Sequence, residues 1–459
     1  MKFRSLLTCF TSAWLLAASS VAAIPLPSHL PFAGNPILPG YFADPSLVQH
    51  GGTNYLYATI DPWGGETLGC WESADFRNWT YRELNWPTKR ACTSPTSKGA
   101  KVWAPSVVRA LDGRFFMYVS VGNEVWAGTA AHPLGPWSDA NAGRPLIPEN
   151  FRRGYHMIDA EAFVDEAGAA YLYWGSGWNW VNGKCWVVKL KADMISFDGE
   201  VKEVTPRNYF EAPFMLKHAG RYYLMYSSGK TTEDTYQVHY ATGDTPLGPF
   251  AEAANSPILV TDRARNIRAP GHHAVFERGG RHYILYHRHS IPFDPGFIGR
   301  QTCVDELQFM RDGSIAKVQP THSGPNFVQR ERVSRGFKAA ASSERSSNTG
   351  AGHVLDGNYA TLWAAGTNAG GAWLQLDLGK ARRFERQELR FEYPWQRYRF
   401  TAEASVDGTH WSKLADYIAM PATGSPVVIA AKGKARYLRL VFPVQPDAAE
   451  PALFEWSVR

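Results

Sequence analysis

The stretch Asp44-Pro-Ser-Leu-Val48, followed after Gly51-Gly52 by Asn54-Tyr-Leu-Tyr57, sets a pattern that returns four more times. It recurs as Ala104-Pro-Ser-Val-Val108 with Phe115-Phe-Met-Tyr118, and as Asp159-Ala-Glu-Ala-Phe163 with Tyr171-Leu-Tyr-Trp174. It recurs again as Glu211-Ala-Pro-Phe-Met215 with Tyr222-Tyr-Leu-Met-Tyr226, and as Gly271-His-His-Ala-Val275 with His282-Tyr-Ile-Leu-Tyr286. Each unit is an apolar run, a turn and an aromatic run. The turns Gly51-Gly52, Asp112-Gly113, Glu166-Ala-Gly168, Ala219-Gly220 and Gly279-Gly280 are hairpin signals between β-forming residues. Unit starts lie 60, 55, 52 and 60 residues apart, which leaves room for four short strands in each. Five such units predict a five-bladed β-propeller. A second echo, His132-Pro-Leu-Gly-Pro-Trp137 and Thr245-Pro-Leu-Gly-Pro-Phe250, follows the second and fourth units. A single large β-sandwich leaves the fivefold period unexplained.

Working outward, the propeller is expected over 24–325 and a linker over 326–336. The Arg-rich stretch from Gln329 to Arg335 reads as a solvated face. From 337 to 459 the pattern changes to short alternating runs with Gly and Asp turns, which predict a β-sandwich. The fold class is therefore all-β. At the other end, Lys2 and Arg4 precede an apolar Leu6–Ala18 run and the small residues Val21-Ala-Ala23. That is the pattern of a signal peptide over 1–23, which implies a secreted or periplasmic protein.

The chain has 459 residues, 44% of them hydrophobic and 20% charged, so global disorder is excluded. The net charge of +6, two of which leave with the leader, is too mild to imply a nucleic-acid partner. No later apolar run is long enough to span a membrane. Cys9 lies in the leader. Export permits disulfides among Cys70, Cys92, Cys185 and Cys303, and the nearest pair, Cys70 with Cys92, is the expected one.

In a propeller the innermost strands start near the axis, so equivalent repeat positions converge in space. Here those positions hold Asp44, Trp103 or Ala104, Asp159, Glu211 and His272. Three carboxyls, an indole and an imidazole would meet at one end of the tunnel. Crowded like charges push pKa values apart, so one carboxyl stays protonated while another stays ionised. Glycosidic cleavage needs that division: a proton for the leaving oxygen and a base for water. Trp103 then reads as a platform for a sugar face.

Residues 35 to 325 resemble glycoside hydrolase family 43. The motifs carrying the resemblance run from Asn35-Pro-Ile-Leu-Pro-Gly40 and Ala43-Asp44-Pro45 through Ser73-Ala-Asp-Phe-Arg-Asn-Trp79 and Trp103-Ala-Pro105. They continue with Ile158-Asp159, Glu211-Ala-Pro213, Gly271-His-His273, Arg300 and Asp312-Gly-Ser-Ile315. The resemblance implies a five-bladed propeller and inverting hydrolysis. It implies Asp44 as general base, Glu211 as general acid and Asp159 as the carboxyl that orients the acid and tunes its pKa. It further implies Arg300 near the bound sugar, and His272 facing a calcium or other cation on the axis, through water in many members. No cofactor is implied for the chemistry itself. Ala160-Glu161 follows Asp159 where the family often has proline or serine, which makes Glu161 a neighbour of unassigned role.

Residues 337 to 459 resemble a discoidin or coagulation factor 5/8 type C domain, a jelly-roll sandwich. The resemblance is carried by Asp356-Gly357, Thr361 with Trp363, Trp373-Leu-Gln-Leu-Asp-Leu-Gly379, Ser405-Val-Asp-Gly408 with Trp411, and Arg436-Tyr-Leu-Arg-Leu440. It implies a carbohydrate-binding module or a structural clamp on the propeller. Tyr393, Trp395 and Tyr398 read as exposed rings for sugar stacking. Together the two resemblances imply a secreted exo-glycosidase whose partner is a glycan, with terminal α-L-arabinofuranose as the expected substrate. β-D-Galactofuranose and β-D-xylose are alternatives on the same fold. A non-catalytic lectin has no need of all three carboxyls. A fructan hydrolase is disfavoured because the Asn-Asp-Pro-Asn pattern is missing around Asp44.

Overall fold

The computed structural model describes residues 33–291, 296–330, 336–366, 371–444 and 450–459. The leader over 1–23 therefore lies outside the described residues. Regular structure among the described residues is strand, with only four short 3-10 turns.

Five antiparallel sheets follow one another along the chain and stand around an axis. Blade 1 runs through Phe42–His50, Thr53–Ile60, Gly69–Ser73 and Thr80–Arg82. Blades 2, 3 and 4 repeat this four-stranded meander, and blade 5 has three strands, Gly271–Arg278, Arg281–His289 and Arg300–Leu307. Each innermost strand packs beside that of the next blade, and blade 5 packs back on blade 1. The aromatic second strands are buried along their length because both faces meet a neighbouring blade.

Polar side chains sew the blades together. Tyr57 Oη donates to Pro133 O at 2.6 Å, Tyr118 Oη to Met194 O at 2.6 Å, and Tyr173 Oη to Pro246 O at 2.5 Å. The final tyrosine of these repeat units therefore anchors a turn of the following blade. The recurring Pro-Leu-Gly-Pro echo supplies two of those carbonyls. The ring closes without a fourth strand in blade 5. Asn35 lies on that blade's outer edge, where its Nδ2 donates to Val304 O at 2.8 Å and its Oδ1 accepts Val304 N at 2.9 Å. The side-chain amide reproduces a ladder pair, and Ile37 N extends it to Thr302 O.

The C-terminal unit is a sandwich of a five-stranded and a four-stranded sheet. Its core includes Trp363, Leu374, Leu376, Phe391, Phe400, Leu438, Leu440 and Trp456.

Three expectations are corrected. The four described cysteines are free thiols, Cys70 and Cys92 included. Both are buried in one apolar core, and nearness along a chain does not bring two Cβ vectors into bonding geometry. Arg330 is not a solvated residue. Its guanidinium donates to Ala33 O at 2.6 Å and to Gly357 O at 3.0 Å, and lies 3.7 Å over the Tyr359 ring. Tyr393, Trp395 and Tyr398 are not exposed stackers. Tyr398 is buried against Phe391, Trp395 packs on Phe42 of the propeller, and Tyr393 packs near Tyr41. These rings close the junction between the two units.

Candidate active site

Four of the five innermost strands begin with an irregularity. Register slips between Ala43 and Ser46, Trp103 and Pro105, Glu211 and Phe214, and Gly271 and His273. The residue inside each slip has positive φ: Asp44, Ala104, Ala212 and His272, with Asp159 equivalent in blade 3. Bulges of this kind re-aim side chains and recur beside active sites. The convergent set predicted from the repeat is thus two sets. Asp44, Asp159 and His272 occupy the positive-φ position, whereas Trp103 and Glu211 each come one residue earlier. This corrects the assumption of a single equivalent position.

The positive-φ backbone is held by the preceding blade. Ala104 N donates to Thr59 Oγ1 at 2.8 Å, Asp159 N to Ser120 Oγ at 3.0 Å, and His272 N to Ser227 Oγ at 2.9 Å. Asp44 N meets His287 Nδ1 at 3.3 Å across the closure of the ring. The site is therefore built on rigid blade starts, each fixed by its neighbour.

All six predicted site residues come together. Asp44, Trp103, Asp159, Glu211, His272 and Arg300 line one pocket of about 230 Å³, together with Trp63, His156, Trp178, Trp180, Phe210 and Thr231. Asp44 is buried and fully engaged. Its Oδ1 lies 2.9 Å from Arg300 Nη1, 3.1 Å from His287 Nδ1 and 3.2 Å from His272 Nδ1, and its Oδ2 accepts Thr59 Oγ1 at 2.6 Å. Burial alone would raise its pKa. Arg300, then His272 and His287, outweigh burial and hold the carboxyl well below the usual carboxylate range. Glu211 behaves oppositely. Burial, and the charge of Asp44, raise its pKa against hydrogen bonds from Tyr236 Oη at 2.7 Å and Ser176 Oγ at 3.1 Å. Asp159 is pushed well above the usual range by burial, then by Glu211 and Asp44. The pocket thus keeps one carboxylate ionised and two carboxyls able to hold a proton.

Arg300 is more committed than the sequence suggested. It makes a bidentate pair with Asp61, Nε to Oδ2 at 2.8 Å and Nη2 to Oδ1 at 2.7 Å, besides its bond to Asp44. Trp63 lies over it at 4.8 Å. Sequence reading missed Asp61, His287, Tyr236 and the Trp63, Trp178 and His156 rings. The one available signal was His287, on a strand position of the fifth unit from which an imidazole can point inward. Glu161, beside the site at the start of its strand, has its carboxyl pushed up to about 8 by burial.

His272 presents Nδ1 to Asp44 and, at 3.8 Å, to Asp159, and burial lowers its pKa. Among the described residues no group of three or more His, Cys, Asp or Glu is placed to hold a metal ion. A cation on this axis would meet the described residues at His272 through water and not in a cage of three or more such side chains.

A propeller axis that ends in unequally protonated carboxyls under a rim of tryptophans is the site of a carbohydrate-cleaving enzyme. Residues 33–315 match the family model for glycosyl hydrolases family 43, and residues 338–454 match the F5/8 type C domain. A β-D-galactofuranosidase of Aspergillus niger is 35% identical over 64% of this chain and 86% of its own length. An arabinoxylan arabinofuranohydrolase of Bacillus subtilis is 27% identical over 70% of each chain. A solved structure described as a glycoside hydrolase superposes with a TM-score of 0.78 at 28% identity, covering 94% of this chain and 100% of its own. The chain belongs to glycosyl hydrolases family 43 and carries an F5/8 type C domain behind the catalytic propeller. It is a glycoside hydrolase with a carbohydrate substrate.

Proposed function

We propose that the chain is a secreted, inverting exo-furanosidase that removes terminal α-L-arabinofuranose from a glycan. In this reading Asp44 is the general base that activates water, and Glu211 is the general acid that protonates the leaving oxygen. Asp159 is the neighbouring carboxyl that orients the acid and tunes its pKa, and Trp103 and Arg300 wall the sugar. The observation that carries the reading is the small pocket. Its roughly 230 Å³ falls below the range of about 300–1,000 Å³ that suits drug-sized ligands. It has room for one terminal sugar ring above the carboxyls. Secretion is supported by the leader pattern. Among the described residues no helix is long and apolar enough to cross a membrane, and one relative is named an extracellular exo-α-(1→5)-L-arabinofuranosidase.

β-D-Galactofuranose is the second reading, favoured by the 35% identical relative. Its ring carries the same configuration as α-L-arabinofuranose and differs in a longer exocyclic arm, so both fit the same carboxyl geometry. The deciding experiment is an NMR time course on aryl α-L-arabinofuranoside, β-D-galactofuranoside and β-D-xyloside, with Asp44→Asn in parallel. Release of one sugar with inverted configuration, lost in the variant, supports the reading and picks the sugar. Retained configuration would overturn the inverting mechanism. Saturable binding without release would point to a lectin.

A further inference from the structure

Among the described residues, the tryptophans that are more than a third exposed are Trp63, Trp178 and Trp180, at 38%, 44% and 38%, and all three line the catalytic pocket. Water-exposed indoles gathered at one mouth are binding surface awaiting an apolar face. Their positions divide the pocket. Trp63 sits on the Asp44 side, over Arg300. Trp178 and Trp180 ride on the loop that starts at Ser176, the residue whose hydroxyl bonds Glu211. Trp178 stacks on His156 with centroids 4.2 Å apart and planes 19° apart, and His156 in turn lies 5.8 Å from Trp103. His156 and Ser176 are paired by backbone bonds of 3.1 and 2.9 Å, so the stack and the Glu211 contact belong to one rigid corner.

The loop is built to hold this ring in place. Val181 N closes a turn on Trp178 O at 3.1 Å, and the two central residues, Asn179 and Trp180, have φ of 54° and 60°. A bulky residue in that region is uncommon, and such backbone concentrates at functional sites. A Cβ at Gly177 would lie 1.8 Å from Val181 O, and one at Gly183 would lie 2.2 Å from Phe210 O, so the loop tolerates neither substitution. Burial pushes the His156 imidazole down to about 4, so it is neutral in the stack.

We infer that the His156–Trp178 arch, next to Trp103, is the leaving-group subsite, a platform for the first backbone sugar of the glycan from which the terminal furanose is cut. The inference rests on the assignment of Glu211 as general acid, since the leaving oxygen must lie beside the proton donor. A pyranose ring fits the platform best, because its flat C–H face covers an indole whereas a puckered furanose covers less of it. The arch therefore selects furanose branches carried on a pyranose chain, and it acts on the glycan rather than on the departing sugar.

Two substrates with the same departing sugar separate the effects: xylotriose carrying one α-L-arabinofuranosyl branch, and methyl α-L-arabinofuranoside, which has no leaving-group ring. With Trp178→Ala, the ratio of kcat/KM on the oligosaccharide to that on the methyl glycoside is expected to fall about tenfold, mainly through KM. Trp178→Phe should restore most of the ratio. An equal loss on both substrates would overturn the inference. If the unmodified enzyme cleaves neither compound, the arabinofuranosidase reading fails. Quenching of tryptophan fluorescence by xylotriose alone then still tests the platform: weaker binding in Trp178→Ala upholds it, and unchanged binding overturns it.

Discussion

At the scale of single residues, the chemistry depends on opposite answers to the same burial. Desolvation pushes both Asp44 and Glu211 towards the protonated form. Asp44 escapes because a guanidinium and two imidazoles face it, whereas Glu211 faces hydroxyls and another acid's charge. The pH profile of kcat/KM should show this. Its acidic limb, set by Asp44, should lie well below the ordinary aspartate range, and activity should be lost as pH rises through the raised pKa of Glu211. Arg300→Ala removes the largest charge holding Asp44 down, so the acidic limb should move to higher pH. A limb that stays in place would refute the assignment of Asp44. Glu211→Gln should cost on the order of 10²–10⁴ in rate on an alkyl furanoside. The loss should be much smaller on a dinitrophenyl furanoside, whose leaving group needs no proton, and the alkaline limb should disappear.

At the scale of elements, the strand starts place the groups and the edges hold the ring. Asn35 is the clearest case, since one buried amide satisfies both Val304 O and Val304 N on the last blade. Asn35→Leu keeps the bulk and leaves two buried backbone groups without partners. The expected cost is about 1–3 kcal/mol for each group orphaned. Thermal denaturation followed by circular dichroism should show a drop of several degrees. An unchanged midpoint would mean that closure rests elsewhere. The thiols belong to this scale as well. Cys70, Cys92, Cys185 and Cys303 are each packed inside blade cores. Reducing agent should therefore leave the melting temperature unchanged, and unfolded, unreduced protein should react at all four with a thiol reagent.

At the scale of the whole molecule, the F5/8 type C unit is joined to the propeller by more than a linker. Arg330 ties Ala33 and Gly34 of the propeller entry to Gly357 of the sandwich. Arg390 Nη1 reaches Trp79 O at 2.7 Å, Tyr81 N pairs with Ser425 O at 2.8 Å, and Gln301 Nε2 donates to Tyr359 O at 3.0 Å. A small aromatic core of Tyr41, Tyr359 and Phe454 fills the space between. An interface with its own buried core makes the two units unfold together. Calorimetry should show one transition in the native protein. Arg330→Ala should split it in two, with the sandwich melting first. A single unchanged transition would assign the coupling to the aromatic core alone.

The sequence by itself determined the blade count, the two-unit order and the repeat-start residues Asp44, Asp159, Glu211, His272 and Trp103 that line one pocket. Those features are written in local signals: period-two alternation, hairpin turns, and motifs at the start of each repeat. Only the tertiary structure decided the rest. The offset between Asp44 and Glu211 is one position within the strand-start bulge, and the backbone there decides which residue faces the pocket. Asp61, His287 and Tyr236 reach the site from strand ends and from a neighbouring blade, so no repeat-start motif announces them. The fate of Tyr393, Trp395, Tyr398 and Arg330 depended on what docks against them. The same aromatic ring or guanidinium is a surface group until a second domain covers it, and only the closed assembly specifies that contact.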